Sequence, residues 1–232
     1  MTISSCLGAA ALTVFVMSAG QAAAAAVTYS DRAAFDAAVS GATTVDFEGL
    51  AGSDYVLYGE TLAVGDAAFT ESSRLYPAPE APIGNLFVFD PAYAAGFYGT
   101  AGLTSAFLNQ NTGDGAPVVV SFASRVTAVG VDLGTLSAGA GPVQITLGSG
   151  ESFVFAAPEV GFSSSALSFF GVVSETGFSS ISFYDPGQHL ALDDLSYAAS
   201  AGTPAADVPA PAAAPLLLLG LGGLVALRRR RG

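Results

Sequence analysis

The chain has 232 residues, nineteen acidic side chains against seven basic ones, no lysine, and a formal net charge of −12 at pH 7. That balance repels nucleic-acid phosphates and anionic lipid surfaces, so it excludes a nucleic-acid-binding protein. Sixteen Phe and eight Tyr, with many β-branched residues, exclude a disordered chain.

At the N-terminus, Leu7 to Ala19 is largely apolar and leads into Gln21 and the alanine run Ala22 to Ala26. Small residues closing an apolar core are the mark of cleavage by signal peptidase. The apolar core is too short to span a bilayer, so residues 1–26 are expected to be removed, although no Lys or Arg precedes the core. The only cysteine, Cys6, lies inside this segment. The mature chain therefore has no disulfide in an oxidising compartment, and its stability must come from the core or from bound metal.

Residues 27–197 suit one domain with a full-sized core. All nineteen acidic residues fall between Val27 and Asp207, opposed there only by Arg32, Arg74 and Arg125. Ser30 is placed to cap a short helix over Asp31 to Val39, ended by Gly41. Strands are expected at Thr43 to Phe47, Thr61 to Val64, Ala67 to Glu71, Leu86 to Phe89 and Val118 to Phe122. The second half adds Val126 to Leu133, Val143 to Leu147, Ser152 to Ala156, Ser168 to Val173, Phe178 to Tyr184 and Leu190 to Tyr197. Alternation such as Val129-Gly130-Val131-Asp132-Leu133, punctuated by Gly, Pro and Asp, predicts an all-β fold, an antiparallel β-sandwich with a short N-terminal helix. Ser72 to Pro117 is less regular and reads as long loops at one end of the sandwich. Residues 198–207 read as a linker.

The tail has three parts: Val208-Pro209-Ala210-Pro211, an apolar run from Ala212 to Leu227, and Arg228, Arg229, Arg230 and Arg231 before Gly232. The apolar run is about 24 Å long as a helix against a hydrocarbon core of roughly 30 Å. Snorkelling arginine stems narrow that mismatch, so a C-terminal transmembrane helix is expected, with its arginines cytoplasmic and the body outside.

Residues 208–232 resemble the PEP-CTERM family of sorting signals, in the variant that begins Val-Pro-x-Pro (VPLPA-like), through Val208, Pro209 and Pro211 with the apolar run and arginines behind them. The departure is Ala210, where the commonest version has Glu. The resemblance implies recognition by an exosortase, a membrane-embedded transpeptidase. It also implies export across the inner membrane of a Gram-negative bacterium, transient membrane anchoring, and delivery to the cell surface or medium alongside exopolysaccharide.

The body resembles the jelly-roll domains found in front of such tails, which open on an Asp-Phe-Glu-Gly-like motif (Asp46 to Gly49) and close on a Leu-Asp-Asp-Leu-like strand (Leu192 to Leu195). In related carbohydrate-binding modules such acids hold a structural calcium. The resemblance thus implies Asp46, Glu48, Asp193 and Asp194 as candidate calcium ligands, oxygen donors suited to a hard cation. From a regular strand only one of Asp193 and Asp194 faces such a site.

Tyr55, Tyr58, Tyr76, Tyr93, Phe97 and Tyr98 crowd the irregular region. Tyr76, Tyr93 and Tyr98 are the candidates for stacking on sugars, against the plainer reading that they pack loops. His189, the only histidine, sits in turn chemistry without a cysteine for zinc or a Gly-x-Ser-x-Gly elbow for a triad, and no catalytic residue is assigned. Three functions follow in order: a non-catalytic envelope or matrix protein associated with exopolysaccharide, a carbohydrate-binding module with structural calcium, and a glycan-active hydrolase.

Overall fold

The computed structural model describes residues 26–73, 84–111 and 115–199. The expected signal peptide (all but its last residue), Tyr76, the linker from residue 200, the sorting motif Val208, Pro209 and Pro211, the apolar tail and Arg228 to Arg231 lie outside the described residues. Among the described residues, no helix is long and apolar enough to cross a membrane.

The chain opens with β1 (Val27–Tyr29), α1 (Arg32–Ala38), β2 (Thr43–Val45), β3 (Tyr55–Gly59), β4 (Thr61–Val64) and β5 (Ala67–Thr70). Then come β6 (Leu86–Phe89), α2 (Pro91–Tyr98), β7 (Phe107–Gln110), β8 (Val118–Thr135), β9 (Val143–Leu147), β10 (Ser152–Phe155), β11 (Ser168–Tyr184) and β12 (Leu190–Ala198). Every strand pairing is antiparallel.

Two long strands make the sandwich, because β8 and β11 each run through both layers. Residues 118–121 of β8 pair with 180–183 of β11, and the first layer reads β10-β9-β11-β8-β5-β4. Residues 128–133 of β8 pair with 168–173 of β11, and the second reads β1-β11-β8-β12-β7-β6-β3, with β2 also on β12. Register shifts between Val173, Phe178 and Ser180 mark where β11 passes from one layer to the other. Such irregularities bend a strand and let a sheet fold over itself.

The main core lies between the layers. Val129, Val131 and Leu133 of β8 face it with Phe69, Ile145, Ile181 and Phe183 from the other side, all buried. Each such side chain stabilises the fold by roughly 1.5–3 kcal/mol relative to exposure.

The outer face of the second layer is covered by the two helices. Phe35 of α1 is fully buried against Ala128, Phe169 and Val173. It sits over Gly130 and Gly171, which are cross-strand partners. A Cβ on Gly171 would come within 2.7 Å of the Phe35 ring, and one on Gly130 within 2.8 Å. Glycine at both positions is therefore what admits the ring. Further along the same face, α2 and the segment before β11 cover Phe89, Phe107, Leu136 and Ala191.

Several expectations need correction. Asp31, not Ser30, caps α1, accepting a hydrogen bond from the Ala34 N–H at 2.8 Å. The strands expected at 118–122 and 126–133 are one, as are those at 168–173 and 178–184, since bent strands keep their pairing through an irregular stretch. The region expected as long loops holds α2 and β7 as well as β6, and the unexpected β1 and β3 form edges.

Candidate functional site

The predicted carboxylates converge on the outer face of the second layer, between the two helices. β2 ends at Val45, so Asp46 and Glu48 lie in the turn beyond it and do not share a strand face. Glu48 Oε1 accepts a hydrogen bond from the Ala106 N–H at 2.9 Å. Asp193 Oδ2 accepts one from the Ser105 hydroxyl at 2.5 Å, and its Oδ1 takes the Asp194 N–H at 2.8 Å. The entry to β7 is thus gripped by one acid from each end of the domain.

The rule that adjacent strand residues face opposite ways fails at Asp193 and Asp194 for a local reason. The β12–β8 register slips between Asp193 and Ser196, and Asp194 takes a left-handed φ of 48°. Aspartate tolerates that conformation better than most residues. A bulge of this kind re-aims side chains. Asp194 ends up close enough to feel Asp132, Asp46 and Glu48.

Among the described residues, one cation serves this cluster. Arg32, at the start of α1, donates to Asp132 Oδ2 at 2.9 Å, the Asp194 carbonyl at 3.1 Å and the Ser196 hydroxyl at 3.2 Å. Its guanidinium lies 4.7 Å from the centre of the Phe169 ring. Burial pushes the Asp193 carboxyl up to about 6, held back by its two hydrogen bonds and reinforced by Asp194 and Asp132. Burial also raises Asp194, with Arg32 opposing. Among the described residues no three carboxylate or imidazole groups gather as metal ligands. Glu48 and Asp193 hold the Ala106 N–H and the Ser105 hydroxyl, while Arg32 joins Asp132 and the Asp194 carbonyl.

The aromatic residues form the second feature, at the free edge of the same layer. β3 pairs with β6 so that Tyr55 lies opposite Phe89 and Leu57 opposite Phe87. Tyr55 contacts the rings of Phe87, Phe89 and Tyr93 at centroid distances of 5.9, 5.8 and 5.2 Å. Phe87, Phe89, Tyr93 and Phe97 follow one another at 5.7, 5.8 and 6.0 Å with interplanar angles of 10°, 7° and 7°. α2 positions the last two: Asp90 Oδ1 accepts from the Ala92 and Tyr93 N–H groups, Pro91 starts the helix, and left-handed Gly99 ends it. Tyr55 is 46% exposed, Leu57 45% and Phe97 62%, and Phe162, packed against Gly99, 81%. Large apolar groups gathered this openly mark interaction surfaces.

Of the predicted stacking residues, Tyr93 lies on this strip. Tyr98 is half-buried behind it, packed on Phe89, Phe97 and His189 and hydrogen-bonded to Asn111, with burial raising its hydroxyl pKa. Tyr58 faces away and donates to the Leu50 carbonyl. Phe87, Leu57 and Phe162 were not foreseen. The alternation in Leu57-x-Tyr55 and Phe87-x-Phe89 was the available signal for the first two.

His189 has no serine partner among the described residues. Burial lowers its pKa, opposed by Asp185, and Nδ1 has no hydrogen-bond partner among those residues. Asp185 is taken up by the Thr135 hydroxyl at 2.7 Å and the Gly187 and His189 N–H groups. This geometry shapes a turn.

No family model matches the chain, and no curated protein matches it by sequence. Among solved structures, two point variants of a family 29 carbohydrate-binding module are similar to it at 15% identity, with TM-scores of 0.29 and 0.30. The alignments cover 62% and 68% of this chain and 90% and 97% of the module. At those TM-scores the likeness supports no inference about ligand.

Proposed function

We propose that this is an exported, non-catalytic β-sandwich protein of the cell envelope or extracellular matrix that associates with exopolysaccharide through the strip on β3, β6 and α2. Export and sorting rest on the sequence. Signal peptidase removes residues 1–26, the tail from 208 to 232 anchors the chain transiently, and an exosortase acts at Val208, Pro209 and Pro211. The four terminal arginines hold the cytoplasmic side.

The binding half of the proposal rests on one observation: Tyr55 on the edge strand and Phe97 on α2 stand open, with Tyr93 and Phe87 partly exposed between them. Aromatic faces give large contact area at small entropic cost, and C–H-rich sugar faces are natural partners. Arg32 supplies one positive charge to the acidic cluster, through its ion pair with Asp132.

Affinity electrophoresis through gels containing the producing cell's exopolysaccharide tests the binding. The wild-type chain is expected to be retarded, and a Tyr55→Ala/Phe97→Ala variant with an unchanged circular dichroism spectrum to run freely. Equal retardation of both proteins would remove the strip from the account.

A further inference from the structure

We propose that the ligand of the strip is an uncharged polysaccharide held along its length, a reading that rests on the strip being a glycan surface. Charge decides the class. Asp54 directly precedes Tyr55, Asp90 directly follows Phe89, and the Asp90 N–H donates to the Asp54 carbonyl at 2.8 Å, so two carboxylates flank the rings. The N-terminus of α2, where an anion could otherwise bind, is already occupied by the Asp90 side chain.

No described cation reaches this edge to offset the two acids. Arg32 is committed to Asp132, and Arg125 donates to the carbonyls of Thr176 and Gly177 at the bend of β11. A uronate or sulfated chain would bring its charges against carboxylates with no counter-charge among the described residues. Hydroxyl groups suit the same rim, because carboxylates accept hydrogen bonds from them.

The ring arrangement decides the mode. Phe87, Tyr93 and Phe97 are reachable along β6 and α2, within a run of near-parallel rings spaced by 5.7 to 6.0 Å whose remaining member, Phe89, is buried at 5% exposure. Tyr55 and Leu57 on the edge strand widen the track. A row of several accessible rings is complementary to a repeated series of sugar units, whereas recognition of a chain end needs a single walled pocket. Each further ring engaged adds contact, so affinity grows with oligosaccharide length until the strip is filled.

The test uses the full chain in lipid nanodiscs against a neutral glucan, a neutral mannan, alginate and the amine-bearing polymer chitosan, followed by a length series of whichever neutral chain binds. Binding is expected for a neutral polymer alone, changing less than about twofold between low salt and about 1 M salt, where ionic contacts are screened. A hexasaccharide should bind about tenfold more tightly than a disaccharide, the worth of about one further ring contact.

Binding of alginate, or binding of chitosan alone that salt abolishes, would overturn the uncharged class while leaving a glycan surface. A disaccharide as good as a hexasaccharide would overturn the extended mode. Failure of every polymer, the cell's own exopolysaccharide included, would instead remove the glycan reading of the strip on which this inference rests.

Discussion

Asp193 offers the sharpest energetic test of how the second layer is held together. The residue is 4% exposed, and burial lifts its carboxyl pKa from 3.8 to about 6. A raised carboxylate pKa means that the folded state holds a proton more tightly than the unfolded chain. The stabilising contribution is therefore complete below about pH 3.8 and is lost as pH rises through 6. A shift of that size corresponds to about 3 kcal/mol between the two limits, and about 2 kcal/mol of it falls between pH 4.5 and pH 7.5.

Asp193→Asn removes the titration while keeping an oxygen that can accept from Ser105. Urea unfolding followed by far-ultraviolet circular dichroism at both pH values gives the difference between variant and wild type. That difference should move by about 2 kcal/mol in favour of the variant on going from pH 4.5 to pH 7.5. Taking the difference cancels whatever fixed cost the amide brings and the titration of every other group the two proteins share. A difference independent of pH would refute the idea that Asp193 is buried as an acid of raised pKa.

Two other changes probe the same face. Arg32→Ala removes the Asp132 ion pair, two hydrogen bonds and the contact with Phe169. It should cost about 1–2 kcal/mol in urea, less at high salt, because the pair is partly exposed. In the wild type, chelator should leave the midpoint unchanged, and a midpoint raised by calcium would place an ion among Asp46, Glu48, Asp193 and Asp194 against the Arg32 account. Gly171→Ala sets a methyl 2.7 Å from the Phe35 ring. It should cost about 1–3 kcal/mol by overpacking, and hydrogen exchange should show the loss concentrated in α1 and β1.

How much of this was legible in the sequence depends on the physical signal each element leaves. Leu86–Phe89, Val143–Leu147 and Thr61–Val64 were read with their observed bounds, since short apolar runs between turn residues behave as strands. β7 escaped because Asn109 and Gln110 lie inside, each hydrogen-bonded to a backbone carbonyl, so its burial is not matched by hydrophobicity. α2 escaped because Ala94 is its only fully buried residue, with Tyr93 and Tyr98 half-buried and Phe97 exposed, which leaves no clear amphipathic period. Its end signals were present in Asp90-Pro91 and Gly99.

The acidic cluster was legible as a set of residues but not as a geometry. Asp46, Glu48, Asp193 and Asp194 do come near one another, yet the bulge at Asp194 and the hydrogen bonds that bind Glu48 and Asp193 to residues 105 and 106 arise from tertiary pairing. Arg32 could not be assigned to them from spacing, because it reaches across from 100 residues away in the chain to Asp132. The strip was half legible. Tyr55, Tyr93 and Phe97 stood out by composition, whereas their alignment depends on the β3–β6 register.

The most direct measurement of the central claim is hydroxyl-radical footprinting of the whole chain with and without the producing cell's exopolysaccharide. Protection is predicted at Tyr55, Tyr93 and Phe97, with Phe153 and Phe155 on β10 of the other layer unchanged. Protection centred on β10, or none on the strip at a concentration that retards the protein in gels, would contradict it.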